Sequence, residues 1–140
     1  MSVTSLLLPV FLQVALTFAL AAWMARERGS ALSSGTVTPR DISLRQPNWP
    51  SRATQVANCF HNQLELPMLF YALVAFILIT RTNDNLFVLL AWAFVAARYA
   101  HAYVHTGSND LDLRAKAMFV GADCGLCKNA NWWFEAKNVH

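Results

Sequence analysis

The stretch Asn58–Ile79 reads "NCFHNQLELPMLFYALVAFILI". Its second part, from Leu66 to Ile79, carries no charge and is almost entirely apolar. Its first part is dense in amides, with an imidazole and a carboxylate. Since about twenty mostly apolar residues cross a bilayer as a helix, the apolar part predicts a membrane span. The polar part lengthens that span at its front and places hydrogen-bonding groups at one of its ends.

Three further segments have the same apolar character. Leu6–Ala25 is an uncharged run of twenty residues, Leu86–Ala97 continues through Val104, and a weaker segment covers roughly 113–134. The chain of 140 residues is 56% hydrophobic and 14% charged, with a mean hydropathy of +0.33, whereas soluble domains carry about 25% charged residues. We therefore predict an all-α, four-helix, up-down bundle in a membrane, as one domain over residues 1–140. The expected helices cover about 4–26, 52–80, 85–106 and 111–134, with a long loop at about 27–50.

The basic residues predict an orientation. Of the 11 lysines and arginines, eight flank the first and third connections, so these connections are expected on the cytoplasmic side and both termini on the other side. Because Arg26 and Arg28 follow the first apolar run, a retained helix is favoured over a cleaved signal peptide. The pI of about 9.0 is explained by arginines that face anionic lipid, so no nucleic-acid partner is expected.

Polar residues recur at helical spacing near the predicted cytoplasmic ends. On the second helix they follow the spacing i, i+3, i+4, i+7, so they share one face. A similar stripe ends the third helix, and an arginine begins the fourth segment. We expect the three groups to meet at one membrane depth, because polar side chains avoid lipid. The residues are Asn58, His61, Asn62 and Glu65, then Arg98, His101 and His105, and finally Arg114.

Three interpretations of this set remain open. A polar network can simply fix helix packing in a membrane. A carboxylate beside arginines also suits an anionic ligand that carries its own ammonium group. His101 and His105, with His61 and Glu65, could hold a metal, but the neighbouring arginines would repel a cation, so no metal site is predicted. The C-G-L-C sequence at residues 124–127 is interpreted as packing cysteines, as is Cys59.

Two stretches carry a resemblance to a known family. "NQLELPMLFYAL" and "ARYAHAYVHTGSNDLDLRAKAMFVG" are similar to the MAPEG family, the membrane-associated proteins in eicosanoid and glutathione metabolism. The similar features are Asn-x-x-Glu at Asn62 and Glu65, Arg-x-x-His at Arg98 and His101, and Arg114 thirteen residues further on. Their order and spacing extend the resemblance over the whole chain.

The resemblance implies a fold and a chemistry. It implies homotrimers that bind glutathione as a co-substrate between subunits, near the cytoplasmic face. It implies that Asn62 and Glu65 hold the tripeptide, with Arg98, His101, His61, Asn58 and His105 as further binding residues. Arg114 would be catalytic, because a guanidinium lowers the pKa of a nearby thiol and so stabilises the thiolate nucleophile. The second substrate would be a lipophilic electrophile or hydroperoxide from the bilayer.

The chain departs from the glutathione-using members at several positions. Those members resemble one another in having arginines where this chain has Asn58 and His61, and tyrosines where it has His105 and Met118. The pattern "NQLELP" is more similar to a bacterial branch, which implies a bacterial inner membrane. The expected function is a glutathione-dependent transferase or peroxidase. The alternative is a non-catalytic membrane trimer of the same fold that binds a lipid or small ligand.

Overall fold

The protein is built from three long helices. The computed structural model describes residues 3–43, 48–80 and 85–108. Helix α1 is Val3–Ser33, α2 is Ser51–Thr80 and α3 is Asn85–Thr106. Each is long and apolar enough to cross a membrane, so the all-α prediction is confirmed. The expected fourth helix at 111–134 lies outside the described residues, as does the turn at 81–84.

Helix α1 continues to Ser33, past the expected end at residue 26. The glycine that follows takes a positive φ of 70° at Gly35, a conformation that glycine adopts without steric cost. The chain then folds back, and the Val37 N–H donates to the Ala31 carbonyl at 3.3 Å. The predicted loop is therefore shortened at its start, because the helix persists until a residue permits the turn.

Two contacts hold the loop after α1. The Thr38 N–H and hydroxyl both donate to Asp41 Oδ2, at 3.0 and 2.6 Å. These bonds favour the carboxylate and hold the pKa of Asp41 below its ordinary value. Near the end of the loop, Arg28 of α1 lies over the Trp49 ring, 4.9 Å from its centroid. The loop thus returns along the end of α1 and delivers the chain to the start of α2.

The interior is layered along the bundle axis. At one end lies an apolar cluster in which Phe70 and Phe94 stack at 4.5 Å between ring centroids. Nearer the loop end lies a smaller cluster of Leu20, Cys59 and Ala102. Between these clusters each helix contributes a buried polar side chain to one hydrogen-bonded group. These are Gln13 of α1, Gln63 of α2 and Arg98 of α3.

Arg52 joins all three helices at the loop end. Its guanidinium lies 5.1 Å from the ring centroid of Trp23 in α1 and donates to the Thr106 carbonyl at the end of α3. It also donates to Gln55, one turn along α2, at 3.2 Å. A cation that satisfies the last carbonyls of a helix also interacts favourably with the helix dipole.

We expect Arg52→Ala to lower the thermal unfolding midpoint of the detergent-purified protein. It removes a cation–π contact and a charged hydrogen bond, together about 1–2 kcal/mol at an exposed position. Arg26→Ala is the matched control, since it removes an equal charge from an exposed residue of α1. Equal midpoints for the two variants would contradict a structural role of Arg52.

Candidate functional site

The polar stripe of α2 divides into an outer and an inner part. Asn58, His61 and Glu65 are exposed on the surface of the single chain. Asn62 is half-buried and its side chain turns towards α3. The three exposed residues, spaced by three and four, form what we call the outer stripe. Its only formally charged side chain is Glu65.

On α3 the predicted residues face the interior. Arg98, His101 and His105 are all buried, with 1–2% of their surface exposed. The two imidazole rings lie edge to face, with 5.6 Å between their centroids. The structure therefore brings α3's stripe against the inner side of α2. Arg114 lies outside the described residues, as do Met118, Asp123 and the two C-terminal cysteines.

Asn62 lies between the two histidines. Its Nδ2 is 3.5 Å from His101 Nε2 and 3.4 Å from His105 Nδ1. On the main chain, the Asn62 carbonyl accepts a hydrogen bond of 2.8 Å from Arg98 Nη2. Both the side chain and the backbone of Asn62 are thus held by α3. A side chain fixed in this way can present its remaining polar group to a ligand without further ordering.

Arg98 is directed into the bundle and not towards the outer stripe. Besides the Asn62 carbonyl, it donates from Nε to Gln63 Oε1 at 3.3 Å. Gln13 of α1 donates to the same oxygen at 3.0 Å. The sequence had suggested Arg98 as a ligand-supporting residue, and its described contacts position the helices around Asn62.

Gln13 and Gln63 were not singled out from the sequence. Both are 0–1% exposed, and each is an amide inside a segment predicted to span the membrane. Polar side chains in such segments face the bundle interior and pair with one another. This rule could have identified Gln13 and Gln63 as interior residues from the sequence. It does not predict which helices are in contact. The partners Gln13 and Gln63 are fifty residues apart, so only the tertiary structure identifies them.

The last carbonyls of α3 are satisfied by α2. Gln55 Nε2 donates to the His105 carbonyl at 2.6 Å and lies 3.5 Å from the Gly107 carbonyl, while Arg52 takes the Thr106 carbonyl. The end of α3, which carries His105, is therefore fixed beside the beginning of α2. These contacts bring the polar stripes of α2 and α3 together at one end of the bundle.

Cys59 is a packing residue, and the described histidines are divided between the surface and the interior. Cys59 is fully buried, and its Sγ lies 4.0 Å from the Ala102 carbonyl, as expected for a packing residue. Within residues 3–43, 48–80 and 85–108, no three histidine, cysteine or acidic side chains lie close enough to hold a metal ion. His61 is exposed whereas His101 and His105 are buried, so the histidines do not form one cluster.

The chain matches the model of the MAPEG family over residues 6–127, nearly its whole length. It belongs to the MAPEG family. With three apolar helices in the described part, this membership makes it an integral membrane protein. No curated protein and no solved structure matches the chain.

We expect Gln63→Leu to destabilise the protein by about 1–3 kcal/mol, because Arg98 and Gln13 would lose their common acceptor inside the bundle. Gln63→Glu keeps an acceptor oxygen and adds a charge opposite to that of Arg98, so it should retain most of the stability. Thermal unfolding in detergent measures both variants. A Gln63→Leu protein as stable as the wild type would show that these bonds contribute nothing.

Proposed function

We propose that the protein is a homotrimeric glutathione-dependent transferase or peroxidase that acts on lipophilic electrophiles. The observation that carries this proposal is the exposed outer stripe of Asn58, His61 and Glu65 on a membrane-spanning helix. Exposing these polar side chains to lipid is energetically unfavourable, whereas a polar ligand could form hydrogen bonds with them. We place the ligand beside this stripe, at the end of the bundle where the arginine-rich loop favours the cytoplasmic side.

The stripe supports an assembly of several copies. A charged residue exposed to lipid costs up to about 2.5–3.5 kcal/mol on insertion scales, the upper figures applying at the centre of a span. Cover by a neighbouring copy removes Glu65 from lipid and leaves a crevice at the interface. In this proposal the stripe meets a different surface of the next copy, which gives a head-to-tail contact. Such head-to-tail contacts close into rings, of which a trimer is the smallest beyond a pair.

The residues around the stripe suit glutathione. Glu65 can pair with the ammonium group of the γ-glutamyl residue, and the amide of Asn58 can bond to peptide groups. Asn62 is held against His101 and His105, which gives the wall of the crevice a fixed polar group. His61 completes the outer side and can donate to a carboxylate.

Arg114 supplies the chemistry in this proposal. Its guanidinium would stabilise the glutathione thiolate after the thiol proton passes to solvent. The sulfur then attacks an electrophilic carbon, a C–S bond forms, and the leaving group departs with the electron pair of the broken bond. With a hydroperoxide, the thiolate instead attacks the terminal oxygen, so that an S–O bond forms as the O–O bond breaks and the alcohol leaves after taking up a proton. A second glutathione then attacks this sulfur, which gives glutathione disulfide and releases the oxygen as water.

We further propose that residues 111–134 form the fourth span, which would complete the four-helix bundle that the family resemblance implies. Among the described residues, an apolar groove of about 240 Å³ lies between α1 and α3, lined by Leu16, Leu20, Trp23, Tyr99 and Tyr103 among others.

A second candidate is a non-catalytic trimer that binds a lipid or small ligand. It is favoured by the low positive charge of the outer stripe, where Asn58 and His61 take the place of arginines. Arg98 does not compensate, because its described bonds are made inside the bundle. Thiol activation distinguishes the two candidates.

We expect a saturable thiolate absorbance when glutathione is titrated into the detergent-purified protein. Arg114→Ala should abolish the thiolate signal while glutathione still binds, as measured by calorimetry. Lys116→Ala, which removes a nearby positive charge, should leave the signal intact. A wild-type oligomer without any thiolate signal would establish the non-catalytic alternative.

Glu65→Gln should instead weaken glutathione binding about tenfold, because an ion pair with the ligand ammonium becomes a neutral hydrogen bond worth about 1.5 kcal/mol less. The thiolate signal at saturation should be unchanged, since Glu65 does not act on sulfur in this proposal. An unchanged dissociation constant would remove Glu65 from the site.

We expect native mass spectrometry of the full-length protein, released gently from detergent, to give three copies per particle. A head-to-tail contact that covers the outer stripe fits a closed ring, and the family resemblance sets the proposed number of copies at three. A particle of one copy that retains its helical content would contradict the assembly and the intersubunit site together.

A further inference from the structure

The two glutamines of the buried polar layer leave two polar atoms without partners. Gln13 Oε1 and Gln63 Nε2 are both buried, and neither has a hydrogen-bond partner among the described residues. In a membrane interior an unpaired amide group costs several kcal/mol in the absence of water. We therefore expect a further group that forms hydrogen bonds with both Gln13 Oε1 and Gln63 Nε2.

The chemistry of Arg98 fixes which atoms are left over. A guanidinium can only donate, so the Gln63 atom that faces Arg98 Nε at 3.3 Å is an oxygen. The Gln13 atom that faces the same oxygen at 3.0 Å must then be the nitrogen. What remains is one acceptor, Gln13 Oε1, and one donor, Gln63 Nε2. Rotating either amide would place like groups opposite each other.

The proline of α2 frees a backbone acceptor one turn before it. Pro67 follows Gln63 by one helical turn and is likewise buried. Because proline has no N–H, the Gln63 main-chain carbonyl does not receive its usual helical donor from Pro67. The layer thus offers two acceptors and one donor. A water molecule has two donors and acceptor lone pairs, and buried waters typically make about three hydrogen bonds.

Both glutamines are buried well inside the bundle. Gln13 precedes Trp23 by ten residues, which is about 15 Å along α1 from that end of the bundle. Apolar clusters lie on both sides of the layer, around Phe70 and around Cys59. A molecule held here lies between two apolar layers of the bundle.

We propose that one water molecule is bound between Gln13 Oε1 and Gln63 Nε2 as a fixed component of the bundle, in a hydration site that links α1 to α2. It donates to Gln13 Oε1 and accepts from Gln63 Nε2. The site is independent of glutathione and of any catalytic activity. It completes the bonding of a layer that fixes the register of the three helices.

The test is solid-state nuclear magnetic resonance of the full-length protein in lipid bilayers with ¹⁵N-labelled glutamine. The chain has four glutamines, at positions 13, 46, 55 and 63, and Gln63→Met assigns the signal of interest. We expect magnetisation transfer from water protons to Gln63 Nε2. Gln55, which lies at the end of the bundle, is the positive control. No transfer to Gln63 while Gln55 shows it would overturn the proposal.

Two variants sharpen the result. Gln13→Leu removes one partner of the water and should abolish the transfer to Gln63. Thr17→Val, one turn away, removes a hydroxyl that bonds to the Gln13 carbonyl and should leave the transfer unchanged. A signal that persists in folded Gln13→Leu would show that Gln13 does not hold the water, contrary to the proposal.

If Gln13→Leu does not fold, the wild-type structure at about 2 Å resolution decides. Solvent density at hydrogen-bond distance, about 2.7–3.2 Å, from both Gln13 Oε1 and Gln63 Nε2 is expected. A direct bond between these two atoms, or a side chain of the same protein in that position, would refute the water site.

Discussion

The structure depends on one constraint, that polar groups inside a bilayer must find their partners within the protein. Gln13, Gln63 and Arg98 meet it together, each from a different helix and each at the same level of the bundle. Apolar side chains alone would allow the helices to pack in many registers. The two donors reach the one acceptor oxygen of Gln63 in only one register. The polar layer thus selects one alignment of α1, α2 and α3, while the apolar clusters on either side contribute packing.

The same constraint divides α2 into two functional sides. Residues on its inner side are bonded to α3, and Asn62 is held there by the histidines and by Arg98. Residues on its outer side, His61 and Glu65 among them, have polar groups that face away from the chain. Inner residues set the position of the wall, and outer residues are available to a ligand or a neighbouring copy. The proposed site therefore belongs to a surface that a single chain leaves incomplete.

The loop end of the bundle is fixed by a different kind of contact. There α2 satisfies the carbonyls that end α3, through Gln55 and Arg52. These bonds place His105 at the level of Asn62 and set the point from which the chain continues. Rigid placement matters because the proposed catalytic arginine, Arg114, comes only a few residues after α3 ends.

The sequence by itself determined the class of this protein. Long apolar runs can only be satisfied as helices in lipid, so the three spans follow from hydropathy, and the spaced motifs led to the MAPEG family. Helical periodicity also placed Asn58, His61, Asn62 and Glu65 on one face. Periodicity did not predict which of these four residues are buried and which are exposed, because that depends on how α1 and α3 pack against α2. Only the tertiary structure turned Arg98 inward and joined Gln13 to Gln63, since hydrogen bonds between residues fifty apart depend on which helices become neighbours.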